Sequence, residues 1–124
     1  MTIELVTLAA EAAAAKSLDE TVVIDVGALI AITDYFVIAS GRNDRQVKAI
    51  TEEVERRVKG HDGSSPRAIE GLADARWVLM DYGDFVVHVF DEEARSYYDL
   101  ERLWSDAPRL VLTASAGRMG RVEA

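Results

Sequence analysis

The run from Arg76 to Trp104, RWVLMDYGDFVVHVFDEEARSYYDLERLW, constrains the fold of this chain more than any other stretch. Arg76 to Tyr82 and Phe85 to Phe90 are rich in β-branched and aromatic residues, and only Gly83 and Asp84 separate them. So short a connection admits nothing but an antiparallel hairpin. Side chains alternate across a strand, so Trp77, Leu79 and Asp81 fall on one face and Arg76, Val78, Met80 and Tyr82 on the other. Both faces are substantially apolar, and each requires a cover. Helices of this chain supply one, over the side expected to hold Val78, Met80, Val87 and Val89; a partner is the candidate for part of the other.

With 124 residues the chain suits one domain with a genuine core, and it is too short for two. Fourteen Lys and Arg against 22 Asp and Glu give a net charge of −8. That balance disfavours holding bare RNA or DNA through its phosphates, which draws on clustered cations, but it suits docking on a basic protein. The absence of cysteine removes disulfides, thiolate nucleophiles and cysteine metal sites, and fits a reducing compartment. Glu4 and Glu11 interrupt the apolar N-terminal stretch, which has no basic leader and makes a poor signal peptide. No segment approaches the roughly 18 uninterrupted apolar residues of a membrane span. A cytoplasmic protein with no membrane partner is expected.

Along the chain, residues 2–17 predict an alanine-rich helix with Leu5, Leu8, Ala9, Ala12 and Ala13 on one stripe. Thr21 to Val26 and Tyr35 to Ser40 read as strands, the second apolar on both faces. Asn43 is an N-cap, with Gln46 placed to reach back, for a helix whose stripe is Val47, Ile50, Val54 and Val58 and whose end lies at Gly60. Arg67 to Gly71 predicts a short edge strand before the hairpin. Asp91 caps a helix through Tyr98, and Asp99 restarts or continues it to Trp104. Pro108 ends it. The resulting expectation is an α/β fold, a mixed sheet of about five strands flanked by helices, forming a single domain over residues 1–106. Residues 107–124 are expected to be a flexible tail, locally basic through Arg109, Arg118 and Arg121.

Candidate chemistry is sparse. Asp81 with Asp84, or Asp91 with Glu92 and Glu93, could converge on a cation, but turn chemistry accounts for the first pair and helix capping for the second. Ser40-Gly41-Arg42-Asn43 lies between strand and helix, where phosphates bind free amides, yet it has neither a GxGxxG pattern nor a GKS or GKT ending. His88, flanked by valines, reads as a hydrogen-bonded core histidine, and two lone histidines carry no zinc argument. No catalytic residue, cofactor or metal is therefore expected. Two roles stand open to Trp77: core packing under a helix, or, with Leu79 and Asp81 beside it, the anchor of a protein interface.

The ordered blocks Thr33-Asp34-Tyr35-Phe36-Val37-Ile38, Gly41, Glu70-Gly71, Trp77 through Asp84, His88-Val89-Phe90, Tyr98-Asp99-Leu100-Glu101 and Leu103-Trp104 closely resemble the Iojap-like ribosomal silencing factor family. The resemblance runs from about residue 3 to residue 105. It implies a nucleotidyltransferase-like fold without that activity, and a translational repressor. Such a repressor binds the large ribosomal subunit through its ribosomal protein fourteen, a basic protein at the intersubunit face, and obstructs joining of the small subunit when nutrients are scarce. It also implies organelle relatives that assist large-subunit assembly, and homodimers off the ribosome. The expected partner-binding residues are Trp77, Leu79 and Asp81, with Glu92 and Glu93 at the rim, and ribosomal RNA as a secondary contact. The competing expectation is a nucleotide- or metal-dependent transferase on the same scaffold, using Asp81 or Asp84 with the Gly41 turn.

Overall fold

The computed structural model describes residues 2–112 and 122–123. Helix α1 (Thr2–Lys16) leads into strands β1 (Thr21–Asp25) and β2 (Tyr35–Gly41), then the long helix α2 (Asp44–Asp62). Strands β3 (Ala68–Glu70), β4 (Trp77–Asp81) and β5 (Phe85–Asp91) follow, then α3 (Glu92–Tyr98), α4 (Leu100–Leu103), β6 (Arg109–Leu112) and β7 (Val122–Glu123). The strands make one sheet of seven in the order β3-β4-β5-β2-β1-β6-β7. Only β2 and β5 pair in parallel, and every other neighbouring pair is antiparallel.

The β4–β5 hairpin forms as its sequence dictates. Tyr82 N–H donates to the Phe85 carbonyl across Gly83 and Asp84, and Gly83 adopts a left-handed φ of +87°. The Asp81 carboxylate accepts from Gly83 N at 2.8 Å and fastens the turn from within. Helix α2 begins where Asn43 predicts: its Oδ1 accepts from Gln46 N at 2.9 Å. The Gln46 side chain reaches back one residue further than a capping box requires, its Oε1 accepting from Arg42 N at 2.6 Å. The helix runs past Gly60, which tolerates the interior of a well-packed helix, and stops at Gly63, whose φ of +81° lets its N–H reach the Lys59 carbonyl.

Two cores flank the sheet. On one face α1 and α2 bury Val23, Val37, Val78, Met80, Val87 and Val89 beneath Val47, Ile50, Val54 and Val58. The buried side of α1 is centred on Val6, Ala9, Ala10 and Ala13, and Leu5 and Leu8 flank it only partly covered. Alanines allow this close approach because they add no bulk between helix and sheet. The opposite face carries a smaller core, Val22, Ile24, Ile38 and Phe90 under Ala94 and Ala107, with Trp77, Phe36, Leu100 and Trp104 packed at its margin.

The mixed sheet flanked by helices is the one expected, extended beyond the roughly five strands read from sequence by β6 and β7. Arg109–Leu112, assigned above to a flexible tail from residue 107, is strand β6, paired antiparallel with β1 through Thr21↔Leu112 to Ile24↔Arg109. Leu112 is fully buried in the larger core. The run of glycines and small residues further on masks the short apolar segment RLVL. Residues 113–121, where the tail expectation mostly falls, lie outside the described residues.

Candidate protein-docking face

The second face of the sheet can be read in rows from the register. One row crosses Val22, Ile38, His88, Leu79 and Glu70; beside it runs Ile24, Phe36, Val86, Asp81 and Ala68. Trp77 stands opposite Phe90 at the end next to α3. Helix α3 packs over β5 and β2, Leu100 of α4 lies at the margin of that core, and Tyr98 reaches Trp77 at the start of β4. Trp77, Leu79 and Asp81 are each left half-buried, while Val78 and Met80 between them are fully buried on the other side. The division of β4 into two faces is therefore the one its alternation predicts.

Within that face the three residues differ. Trp77 is both core and surface: its ring lies 5.0 Å from Phe90 and 4.6 Å from Tyr98, and its Nε1–H donates to His88 Nδ1 at 3.0 Å. Leu79 belongs to neither core. Asp81 has one carboxylate oxygen engaged with Gly83. Alternate residues on one strand stand roughly 7 Å apart, so the three form a continuous stripe of aromatic, aliphatic and acidic character.

Beneath the stripe lies His88, 4% exposed. Because Nδ1 accepts from Trp77, the proton of the neutral ring sits on Nε2, which has no hydrogen-bond partner among the described residues. Phe36 packs edge-on at 4.7 Å. Burial pushes the imidazole pKa down to about 4. The sequence expectation of a hydrogen-bonded core histidine is met, but nothing in the sequence pointed to Trp77 as the donor.

The acidic start of α3 is split by the geometry. Asp91 caps the helix, accepting from Ala94 N at 2.7 Å. Arg76 bridges Asp91 at 3.3 Å and Glu93 at 3.1 Å, so Glu93 sits next to Trp77 across a shared cavity. Glu92 lines a second groove, with Asp19, Glu20, Ser96 and Asp99, which Glu93 also borders. Of the two predicted rim residues, Glu93 adjoins the stripe and Glu92 lies away from it. Exposed Tyr97 and Tyr98, absent from the sequence-based site, belong to the neighbourhood of Trp77; adjacent tyrosines on a short helix were the available clue.

At the Gly41 turn three backbone amides are engaged by protein. Arg42 N and Gln46 N bond to side chains, Val47 N to the Asn43 carbonyl, and a Cβ on Gly41 would come within 2.9 Å of Val47 N. Among the described residues no three His, Asp or Glu side chains are grouped to hold a metal ion. No described helix is long and apolar enough to cross a membrane.

The fold and this face define a mixed α/β protein whose sheet carries the larger core under α1 and α2 on one side and is covered less completely on the other. The chain belongs to the family described as ribosomal silencing factor during starvation, whose model matches residues 1–123, beyond the limit near residue 105 read from sequence blocks. It is 41% identical over 109 residues to ribosomal silencing factor RsfS of Halalkalibacterium halodurans, covering 88% of this chain and 92% of that protein. It is also 41% identical over 104 residues to the Bacillus subtilis protein of the same name, covering 84% and 87% respectively. A mouse protein named mitochondrial assembly of ribosomal large subunit protein 1 is 37% identical over 75 residues, 59% of this chain and 33% of that one. A crystal structure of a Chromobacterium violaceum protein superposes with a TM-score of 0.79 at 34% identity, covering 85% of this chain and 87% of that one.

Proposed function

We propose that this protein is a cytoplasmic translational repressor that binds the large ribosomal subunit through its ribosomal protein fourteen and keeps the small subunit from joining. The observation that carries the reading is the half-covered stripe Trp77–Leu79–Asp81, aromatic, aliphatic and acidic, on the sheet face that helices cover only in part. A partly exposed aromatic anchor with an aliphatic neighbour and a charged edge is the composition of a protein interface. The family and the names of its relatives direct that interface to the ribosome, and the large subunit stands in the name of the mouse relative. A net charge of −8 suits a basic ribosomal protein better than bare RNA.

The mechanism is steric. The stripe docks, Glu93 lies at its rim, and the remainder of a domain about 30 Å across projects from the attachment point, enough to exclude a second subunit by volume. No catalytic group is needed for that. An assembly role for the large subunit, suggested by the mouse relative's name, would use the same surface at an earlier time.

The deciding experiment is co-sedimentation of the protein with ribosomal particles, scored separately on free large subunits and on joined ribosomes. Enrichment on free large subunits, lost in Leu79→Ala, is expected. Enrichment on joined ribosomes would contradict the blocking mechanism.

A further inference from the structure

Between the start of β4 and the outer side of α3 lies a cavity of about 490 Å³, within the roughly 300–1,000 Å³ of built ligand sites. Three aromatic rings line it. Trp77 and Tyr98 lie 4.6 Å apart, and Tyr97 stands at 89° to Tyr98 with 5.1 Å between centroids, so adjacent rings form two walls of a corner. Tyr97 is 81% exposed and so offers a ring face to a ligand. The remaining wall is acidic. Glu93 and Asp74 both line the cavity; the only cation there, Arg76, is already bound to Asp91 and Glu93, and Asp74 has no ion-pair partner among the described residues.

Electron-rich ring faces and carboxylates attract the same kind of ligand. A cation near an aromatic face is stabilised by the ring quadrupole, and a neighbouring carboxylate adds a charge-assisted hydrogen bond. Phosphate or a carboxylate would meet Asp74 and Glu93 with like charge, which removes nucleic acid and acidic peptides as occupants. A second copy of this chain brings a net charge of −8 of its own. We propose that this cavity seats a lysine or arginine side chain of the basic protein partner, between the Tyr97–Tyr98 corner and the carboxylates of Asp74 and Glu93. The proposal rests on the reading of the Trp77 stripe as a docking face, and gives that face a second, charge-selective anchor at its α3 end.

The test is affinity for purified large ribosomal subunits, measured with the full chain over a range of salt concentrations for Tyr97→Leu, Tyr97→Phe, Asp74→Asn and Leu79→Ala. Tyr97 and Asp74 are exposed, and a thermal melt verifies that each variant folds. Tyr97→Leu and Asp74→Asn are each expected to weaken binding about tenfold, Asp74→Asn also flattening the salt dependence, while Tyr97→Phe retains affinity because the ring face is kept. Unchanged affinity in Tyr97→Leu and Asp74→Asn, with binding lost in Leu79→Ala, overturns the cation site and leaves the docking face standing. Loss in Tyr97→Leu alone, with an unaltered salt slope, means an apolar occupant and also overturns it. Failure of the unmodified protein to bind large subunits overturns the docking reading itself. A dimer in sedimentation equilibrium that Tyr97→Leu disperses would give the cavity to a second copy instead.

Discussion

Trp77 Nε1–H donates to His88 Nδ1 at 3.0 Å, joining a half-buried aromatic residue of the hairpin to its buried histidine. The bond holds the indole in place and fixes the tautomer of the imidazole at once. It also means that Trp77 cannot be removed without leaving a buried nitrogen unpaired.

That coupling separates two substitutions on the same stripe. Trp77→Ala should lower both stability and partner affinity, the first by about 3 kcal/mol through lost packing and an orphaned His88 acceptor. Leu79→Ala, outside either core, should lower affinity while moving the thermal midpoint by little. Comparing urea midpoints with large-subunit affinities tests this; a Leu79→Ala protein as unstable as Trp77→Ala would place Leu79 in the core.

His88 makes stability depend on pH. Its pKa is lowered from 6.5 to about 4 by burial, so between those values the unfolded chain binds a proton that the folded chain does not. The contribution is fully present above about pH 6.5 and is lost progressively as pH falls toward 4, by something on the order of 3 kcal/mol. In His88→Leu that slope should disappear, measured as the unfolding free energy in urea at pH 7 and pH 5. A slope unchanged in the variant would assign the acid sensitivity to other groups.

Gly71 holds the loop between β3 and β4 against the strand. Its φ is +85°, and a Cβ there would lie 2.1 Å from the Trp77 carbonyl oxygen, a backbone atom that cannot swing aside. Gly71→Ala should therefore cost about 2 kcal/mol or more, read as a drop in Tm, and should displace the loop beside the aromatic corner.

Asn43 supplies the only side-chain cap at the start of the long helix. Asn43→Ala should reduce unfolding free energy by about 1 kcal/mol without altering the denaturant slope, whereas Asn43→Asp should be nearly neutral. Chemical denaturation followed by circular dichroism measures both.

Local signals carried most of this architecture. The hairpin turn, the Asn43 and Asp91 caps and the alternation of Trp77 to Asp81 are each decided within a few residues, and each forms as read. What failed to show were relationships set by the third dimension. RLVL is a strand because β1 offers it an open edge, and no short-range pattern announces an edge. Val6 lies outside the predicted stripe yet is buried, because α1 packs on α2 as well as on the sheet, which turns its buried side away from the leucines. Glu92 and Glu93 look equivalent in sequence, yet one helical step of about 100° lets Glu93 reach the cavity beside Trp77 while Glu92 lines only the groove on the other side.

Strand β4 is hydrogen-bonded along both edges, to β3 and to β5, and β5 in turn to β2 at the centre of the sheet. A surface borne on such a strand meets whatever docks there with its backbone entropy already surrendered in folding. Association then has only side chains to order, each costing about 0.5–1.5 kcal/mol, and Trp77 is already held. Complexes made this way are governed chiefly by how slowly they come apart, so a blocking domain of this design would act through its residence time and not through the speed of its arrival.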